Sequence, residues 1–273
     1  MRFLSSARKI LAFFWRDFAI ARGYRSAILL ELAETLFGVA TFYFLSKFVN
    51  TPELARSLPA GSNYFAFALV GFAFFDYLSV SMTAFETSLE EARQNRTLEA
   101  LLVTQTPLPV ILVGSAAYPF ATLALRTCIY FAWGWLLFGF SPHTVNWLGA
   151  VAILIASILS FAGLGILSAS YALLFKRGNP AKWIVLGFSG LVGGMMYPVA
   201  ILPPALQWIA RLIPVTYSLE GMRAALLAGS GWSGLWPSLF ALLVFAAILL
   251  PLSFLVFAWA LRRTKITGTL THI

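Results

Sequence analysis

VNWLGAVAILIASILSFAGLGILSASYALLF, residues Val145 to Phe175, contains no Asp, Glu, Lys or Arg. Coiled as a helix at 1.5 Å per residue it would reach about 45 Å, longer than the hydrocarbon core of a bilayer, about 30 Å. Such a stretch is a membrane span. Of the 273 residues 60% are hydrophobic and 11% charged, whereas soluble domains average about 45 to 50% and about 25%. No water-soluble core could hide that much apolar surface, so the solvent for most of this chain is lipid.

Working outward, the polar break Lys176-Arg177-Gly178-Asn179-Pro180 ends this run, and apolar sequence resumes over 181–197. Upstream, apolar sequence runs over 107–140, longer than one span needs, with Pro119 inside it as a candidate kink. Two further spans read as 26–49 and 63–85, separated by the turn chemistry of Pro59, Gly61 and Asn63. A last one covers 236–261 and stops at Arg262 and Arg263. Between 198 and 227, Pro198, Pro203, Pro204 and Pro214 cut an apolar sequence into pieces too short to cross. Broken backbone at membrane depth survives only when buried in protein or lining a wet cavity, so this stretch is expected to form a re-entrant hairpin at the outer end of a pathway. Residues 1–25 put Leu4, Ala7, Leu11, Phe14, Trp15 and Phe18 on one helical face and Arg8, Lys9 and Arg16 opposite, as in a helix lying in the interface. Its charges interrupt any long apolar core, so no cleavable leader is expected in this stretch. The expected fold is therefore all-α: an integral membrane protein of six transmembrane helices, with an amphipathic N-terminal helix (1–25) ahead of a transmembrane domain (26–273).

A net charge of +9 would suggest nucleic acid in a soluble protein, but here the basic residues lie in short segments between spans and report topology. With six spans, Lys and Arg before residue 26, at Arg93 and Arg96, at 176–182 and at 262–265 share one side, against Lys47, Arg56, Arg211 and Arg223 on the other. The positive-inside bias thus puts both termini in the cytoplasm. The single Cys128 excludes an intrachain disulfide, and His143 and His272 are too few and too separated for a metal cluster.

The loop after the second span reads Ser88-Leu-Glu-Glu-Ala-Arg-Gln-Asn-Arg-Thr-Leu-Glu-Ala-Leu-Leu-Val-Thr104. Ser88 with Glu91 fits a capping box, and the stretch that follows suits a short helix with charges on one side and Leu98, Leu101 and Leu102 on another. Such a helix can dock in a groove on a partner; equally, it can be a solvated connector. From Arg96 to Pro107 the run resembles the coupling segment of type-2 ABC exporter permeases (the ABC-2 family), with Arg96 where Gly is frequent and Gln105-Thr106 added before Pro107. The stretch from Tyr197-Pro-Val-Ala-Ile-Leu-Pro-Pro to Ile213-Pro-Val-Thr-Tyr-Ser-Leu-Glu-Gly-Met-Arg223 resembles the region after that family's fifth span.

The resemblance implies a permease that pairs with a second copy and binds two ATP-hydrolysing subunits, with ATP and Mg used by those partners and no cofactor held by this chain. No Gly-x-x-x-x-Gly-Lys-Ser/Thr loop occurs in the sequence. By the same resemblance Glu90, Glu91, Arg93, Arg96 and Glu99 contact the ATPase. The resemblance also implies that spans one, two and five line the route of an amphipathic or lipid-linked cargo, to which Phe37, Tyr43, Phe44, Phe72, Phe75 and Tyr197 would offer aromatic faces, although aromatic residues are also common in lipid-facing and core positions.

Two charges, Asp76 and Arg126, fall centrally in spans two and three, where isolation is costly; mutual pairing is the simpler account and substrate contact the other. Glu31 and Glu34, one turn apart near the inner end of span one, are expected to reach solvent or neighbouring Arg residues. Gly190 and Gly194 have the small-x-x-x-small spacing of close helix packing. Two other functions remain in view: an ion-coupled secondary transporter using Asp76 or Glu31 and Glu34, and a lipid-modifying membrane enzyme, for which the sequence offers no cluster of His, Asp or Glu.

Overall fold

The computed structural model describes residues 2–23, 25–49, 58, 62–94, 108–141, 144–175 and 179–266, and every regular element among them is helical. The chain runs through α1 (Arg2–Arg22), α2 (Arg25–Phe48), α3 (Tyr64–Gln94), α4 (Leu108–Phe138), α5 (Trp147–Phe175), α6 (Pro180–Val192), a 3-10 turn (Val199–Ile201), α7 (Pro204–Ala210), α8 (Pro214–Leu226) and α9 (Trp232–Ile266). Five of these, α2, α3, α4, α5 and α9, are long and apolar enough to cross a membrane.

The fifth expected span, over 181–197, behaves differently. Asn179 caps the start of α6 by accepting from the Lys182 amide, and Pro180 occupies the first turn, where a missing amide proton costs nothing. The helix stops at Val192 because Gly193 and Gly194 follow, the latter at φ +85. Its 13 residues rise only about 20 Å, short of the roughly 30 Å of a hydrocarbon core. α6 is thus an apolar helix too short to span by itself.

α3 is the centre of the bundle, the most buried of the five long helices, and touches α2, α4, α5, α6 and α8. Leu69, Val70 and Leu78 from α3 meet Val39 from α2, Ile153 and Phe161 from α5, Leu219 and Met222 from α8 and Leu242 from α9 in one core. α9 lies along α5, and α1 packs on α4 through Phe13 beside Gly114 and the Phe14 ring against Tyr118. Leu11, Trp15 and Phe18 of α1 face outward, as do Leu29, Phe37 and Phe44 of α2 and Leu255 and Trp259 of α9. These apolar outer faces suit lipid as solvent.

The course of α3 also departs from the sequence reading. α3 continues unbroken from Tyr64 to Gln94, so Ser88 sits inside a helix and does not cap a new one. The capping box of Ser88 and Glu91 therefore does not form, because the amides it would serve already belong to the helical ladder. Residues 95–107, which hold most of the expected coupling helix, lie outside the described residues.

The proline-rich stretch folds into short helices held by their own polar side chains. Gln207 Nε2 donates to the carbonyls of Ala200 (3.1 Å) and Leu202 (2.8 Å), Thr216 Oγ1 to that of Ala210 (2.7 Å) and the Tyr217 hydroxyl to that of Arg211 (3.0 Å). Every Pro here begins or precedes an element, where no i−4 carbonyl needs its proton. α8 is then fixed to α5 by the Ser157–Ser218 hydroxyl pair at 2.7 Å.

Candidate functional site

Three polar assemblies sit inside the apolar bundle, and α3 takes part in each. The first is mid-helix. Arg126 of α4 lies 3.7 Å from Asp76 of α3, 2.9 Å from Glu34 and 3.8 Å from Glu31, both of α2. The Tyr130 hydroxyl, one turn on from Arg126, donates to Asp76 Oδ2 at 3.2 Å. Asp76 and Arg126 side chains are each about one fifth exposed, at 20% and 19%, whereas Glu34 is 69% exposed. The pairing of Asp76 with Arg126 anticipated from their central positions is present. Glu31 and Glu34 reach the same guanidinium, so three carboxylates from two helices converge on one cation.

The second assembly joins α3, α5 and α6 at the end of the bundle that holds Gln94, Phe175 and Pro180. Lys182 Nζ is 3.0 Å from Glu86 Oε2, with the carboxylate side chain only 7% exposed. Asn179 Nδ2 lies 3.4 Å from the same oxygen and 2.7 Å from Ser168 Oγ, which in turn is 3.2 Å from the Met82 carbonyl. Asn179 does double duty, because its Oδ1 also caps α6. A buried carboxylate survives at such a depth only when its charge is paired and its lone pairs are met, as here.

The third assembly is at the opposite end. Arg223 of α8 is buried and, among the described residues, hydrogen-bonds to no carboxylate; its guanidinium fork donates to three backbone carbonyls, those of Phe67 (3.2 Å), Gly194 (2.7 Å) and Met195 (2.8 Å). The plane also lies over the Phe67 ring, 3.4 Å from its centroid. Gly71 is what lets this happen: a Cβ there would overlap both the Met195 carbonyl and Arg223 Nη2. The sequence reading counted Arg223 among outer-segment charges and gave it no partner; its side chain clamps the turn after α6 to α3.

The other candidates are dispersed. Glu90 and Glu91 are exposed near the end of α3, and Arg93 lies in its last turn. Arg96 and Glu99 lie outside the described residues. A cleft of about 400 Å³ opens between α1, α3 and α4 beside Glu91, Ser88, Arg16 and Tyr118. Of the aromatic residues, Tyr43 packs against Phe65 and Phe138, and Phe72 between Phe42 and Tyr130. Phe37 and Phe44 are exposed on α2, Phe75 is half-buried opposite Gly190, and the Tyr197 hydroxyl bonds to the Leu191 carbonyl. Gly190 lies within α6 and Gly194 past its end, so the two do not share a helix face.

Glu86, Asn179, Ser168 and Lys182 were not singled out from sequence. Their one signal was Asn179-Pro180 followed by a lone Lys182 at the head of an apolar run, the pattern of a capped helix with a charge carried into the membrane region.

Five spanning-length helices, charges neutralised between them and short helices in a proline-rich stretch define a polytopic membrane protein. The sequence profile described as ABC-2 type transporter matches residues 8–227, and the chain belongs to that family. It is 26% identical over 163 residues to the inner membrane transport permease YadH of Escherichia coli K12, a match covering 60% of this chain and 63% of that protein. It is 27% identical over 179 residues to nodulation protein J of Neorhizobium galegae, covering 61% of this chain and 63% of the relative. The match thus spans a little under two thirds of each relative's length.

Proposed function

We propose that this chain is the membrane-spanning subunit of an ATP-driven exporter that carries an amphipathic or lipid-linked cargo, such as a glycan, lipid or drug-like molecule, out of the cytoplasm. A second copy completes the route, and an ABC ATPase subunit, using ATP and Mg, supplies the energy. In this reading both termini are cytoplasmic, α6 with the turn that follows it completes a sixth crossing, and α7 and α8 form a re-entrant hairpin on the outer side. Residues 88–104, with Glu90, Glu91, Arg93, Arg96 and Glu99, receive the ATPase.

The observation that carries this reading is the course of α3. One unbroken helix of 31 residues leads from the outer end of the bundle, through its core, to the exposed Glu90 and Glu91 at the start of the segment that resembles a coupling element. A helix packed on five neighbours moves as a rod, so a push on its inner end reaches the whole bundle. Affinity purification of the tagged protein from its native membrane, with an ATPase assay on wild type and a Glu90, Glu91 and Glu99 to Ala variant, tests the reading. A co-purifying ATPase that is lost from the variant supports it.

One observation favours a second reading. The gathering of Asp76, Glu34 and Glu31 on Arg126 is the kind of intramembrane charge group that ion-coupled transporters use. Reproducible absence of an ATPase, with transport driven by an ion gradient, would replace the exporter with that alternative.

A further inference from the structure

We propose that Glu86 and Lys182 are positioning residues for ATP coupling: they bind the inner end of α6 to α3 so that the two helices move as one body. The inference rests on the exporter reading above and adds the parts that transmit the stroke.

The argument starts from the two ends of α6. At the inner end, the Glu86–Lys182 pair at 3.0 Å is enclosed by Asn179 and Ser168. At the outer end, Arg223 donates simultaneously to α3, through the Phe67 carbonyl, and to the turn leaving α6, through the Gly194 and Met195 carbonyls. Phe67 and Glu86 are separated by about 28 Å along α3 at 1.5 Å per residue. Two clamps that far apart remove both sliding and tilting between the helices, which one contact would not.

Between the clamps the direct packing is thin: α6 touches α3 far less than α4 or α5 does, and Trp183, Ile184 and Leu191 face outward. Lipid supplies no hydrophobic force pressing such a helix home, so polar links carry the attachment. Glu86 is also the last buried acidic residue on α3 before the exposed Glu90 and Glu91. It lies one turn from the surface assigned to the ATPase, in line with the incoming force.

A purely structural pair would change stability alone. A transmitting pair changes how α6 follows α3 during turnover. The experiment uses the permease with its ATPase in nanodiscs, in a Cys128→Ser background because Cys128 is exposed. Spin labels are placed at Thr87 and Leu191 to report α3 against α6, and at Leu30 and Leu191 to report α2 against α6, all at outward-facing positions. Distance distributions are read with and without ATP and vanadate. In the otherwise native protein the Thr87–Leu191 distance is expected to hold within about 2 Å, the scale of adjustment inside a packed body, while Leu30–Leu191 shifts by more.

In Lys182→Met the Thr87–Leu191 distribution broadens on trapping, and the ATPase rate no longer responds to the permease. The swapped double variant Glu86→Lys with Lys182→Glu restores both, which also answers a single variant that merely folds poorly. A Thr87–Leu191 shift as large as that of Leu30–Leu191, or a Lys182→Met protein indistinguishable from the parent, overturns the proposal. So does an associated ATPase whose trapping moves neither pair. If no ATPase accompanies the protein at all, the exporter reading itself has failed.

Discussion

Replacing Gly71 by Ala adds one methyl group at the most crowded crossing in the bundle. The new Cβ would fall well inside 3.0 Å of both the Met195 carbonyl and Arg223 Nη2, the two ends of a single hydrogen bond of 2.8 Å. Neither is a free side-chain tip: one is backbone, the other is held by two further bonds to Phe67 and Gly194. Overpacking of this kind costs about 1 to 3 kcal/mol. Loss of a bond to a charged donor adds about 1.5 to 3 kcal/mol. Against this stands a gain of about 1 kcal/mol for Ala over Gly within a helix. The net loss is therefore about 3 kcal/mol, or roughly 10 °C in melting temperature for a chain of this size. Gly187→Ala is the internal control, since a Cβ there meets nothing within 4 Å. It should melt at or slightly above the parent temperature. Thermal unfolding of the solubilised proteins, followed by fluorescence-detected size exclusion, reads both. Gly71→Ala melting with Gly187→Ala would refute the seating of Arg223 against α3.

Three other perturbations follow from the same geometry. Arg126→Met strands Asp76 at about one-fifth exposure and should cost about 3 kcal/mol; adding Asp76→Asn should recover most of this in the same melting assay, whereas adding Glu34→Gln should not, because Glu34 is already 69% exposed. The Glu90 and Glu91 to Ala double variant should melt within about 0.5 kcal/mol of the parent, as exposed substitutions do, yet retain about tenfold less ATPase in a pull-down; a fall in both would assign these residues to folding. Cys128 is exposed on α4 two residues past Arg126, and maleimide attack needs a thiolate that lipid does not solvate, so a membrane-impermeant maleimide should label it slowly in intact vesicles. Rapid labelling would mean that this face of α4 borders water.

Much of the architecture was legible because span-forming sequence is its own signal: Val145–Phe175 holds no charged residue and residues 107–140 hold one, Arg126, and their helices end within a few residues of the polar breaks. What escaped was set by backbone geometry or by distance in the chain. Apolar sequence past Val192 suggested a longer fifth span, but Gly193 and the left-handed Gly194 end the helix where composition alone continues it. Ser88 and Glu91 carry a capping signature, overridden because α3 arrives at Ser88 already helical. Asp76 and Arg126 were visible as charges inside spans, and their partnership follows from the cost of leaving either alone. Glu86 and Lys182 each lie near a span end, where a charge reads as solvated, so neither pointed to the other across 96 residues of chain. Arg223 was the hardest, because its partners are backbone carbonyls and backbone leaves no mark on composition.

The three polar assemblies share one helix, and that arrangement decides which parts can move together. In lipid, apolar side chains gain little by meeting each other instead of acyl chains, so relative position is set by close packing and by polar links. α3 has such links to α6 through Glu86, to α5 through the contact of Ser168 with Glu86, and to α8 through the Phe67 carbonyl, which accepts from Arg223. To α4 it has Asp76, reinforced by Tyr130. Among the described residues α2 has no comparable buried tie: it reaches the cluster through Glu31 and Glu34, both exposed, and its apolar window is among the least buried of the five long helices. An exposed ion pair contributes about 1 kcal/mol or less, against several for a buried, fully satisfied one broken on one side. On the exporter reading, a stroke applied at the Gln94 end of α3 therefore carries α5, α6 and α8 with it, and the joint that yields is the seam between α2 and the rest of the bundle.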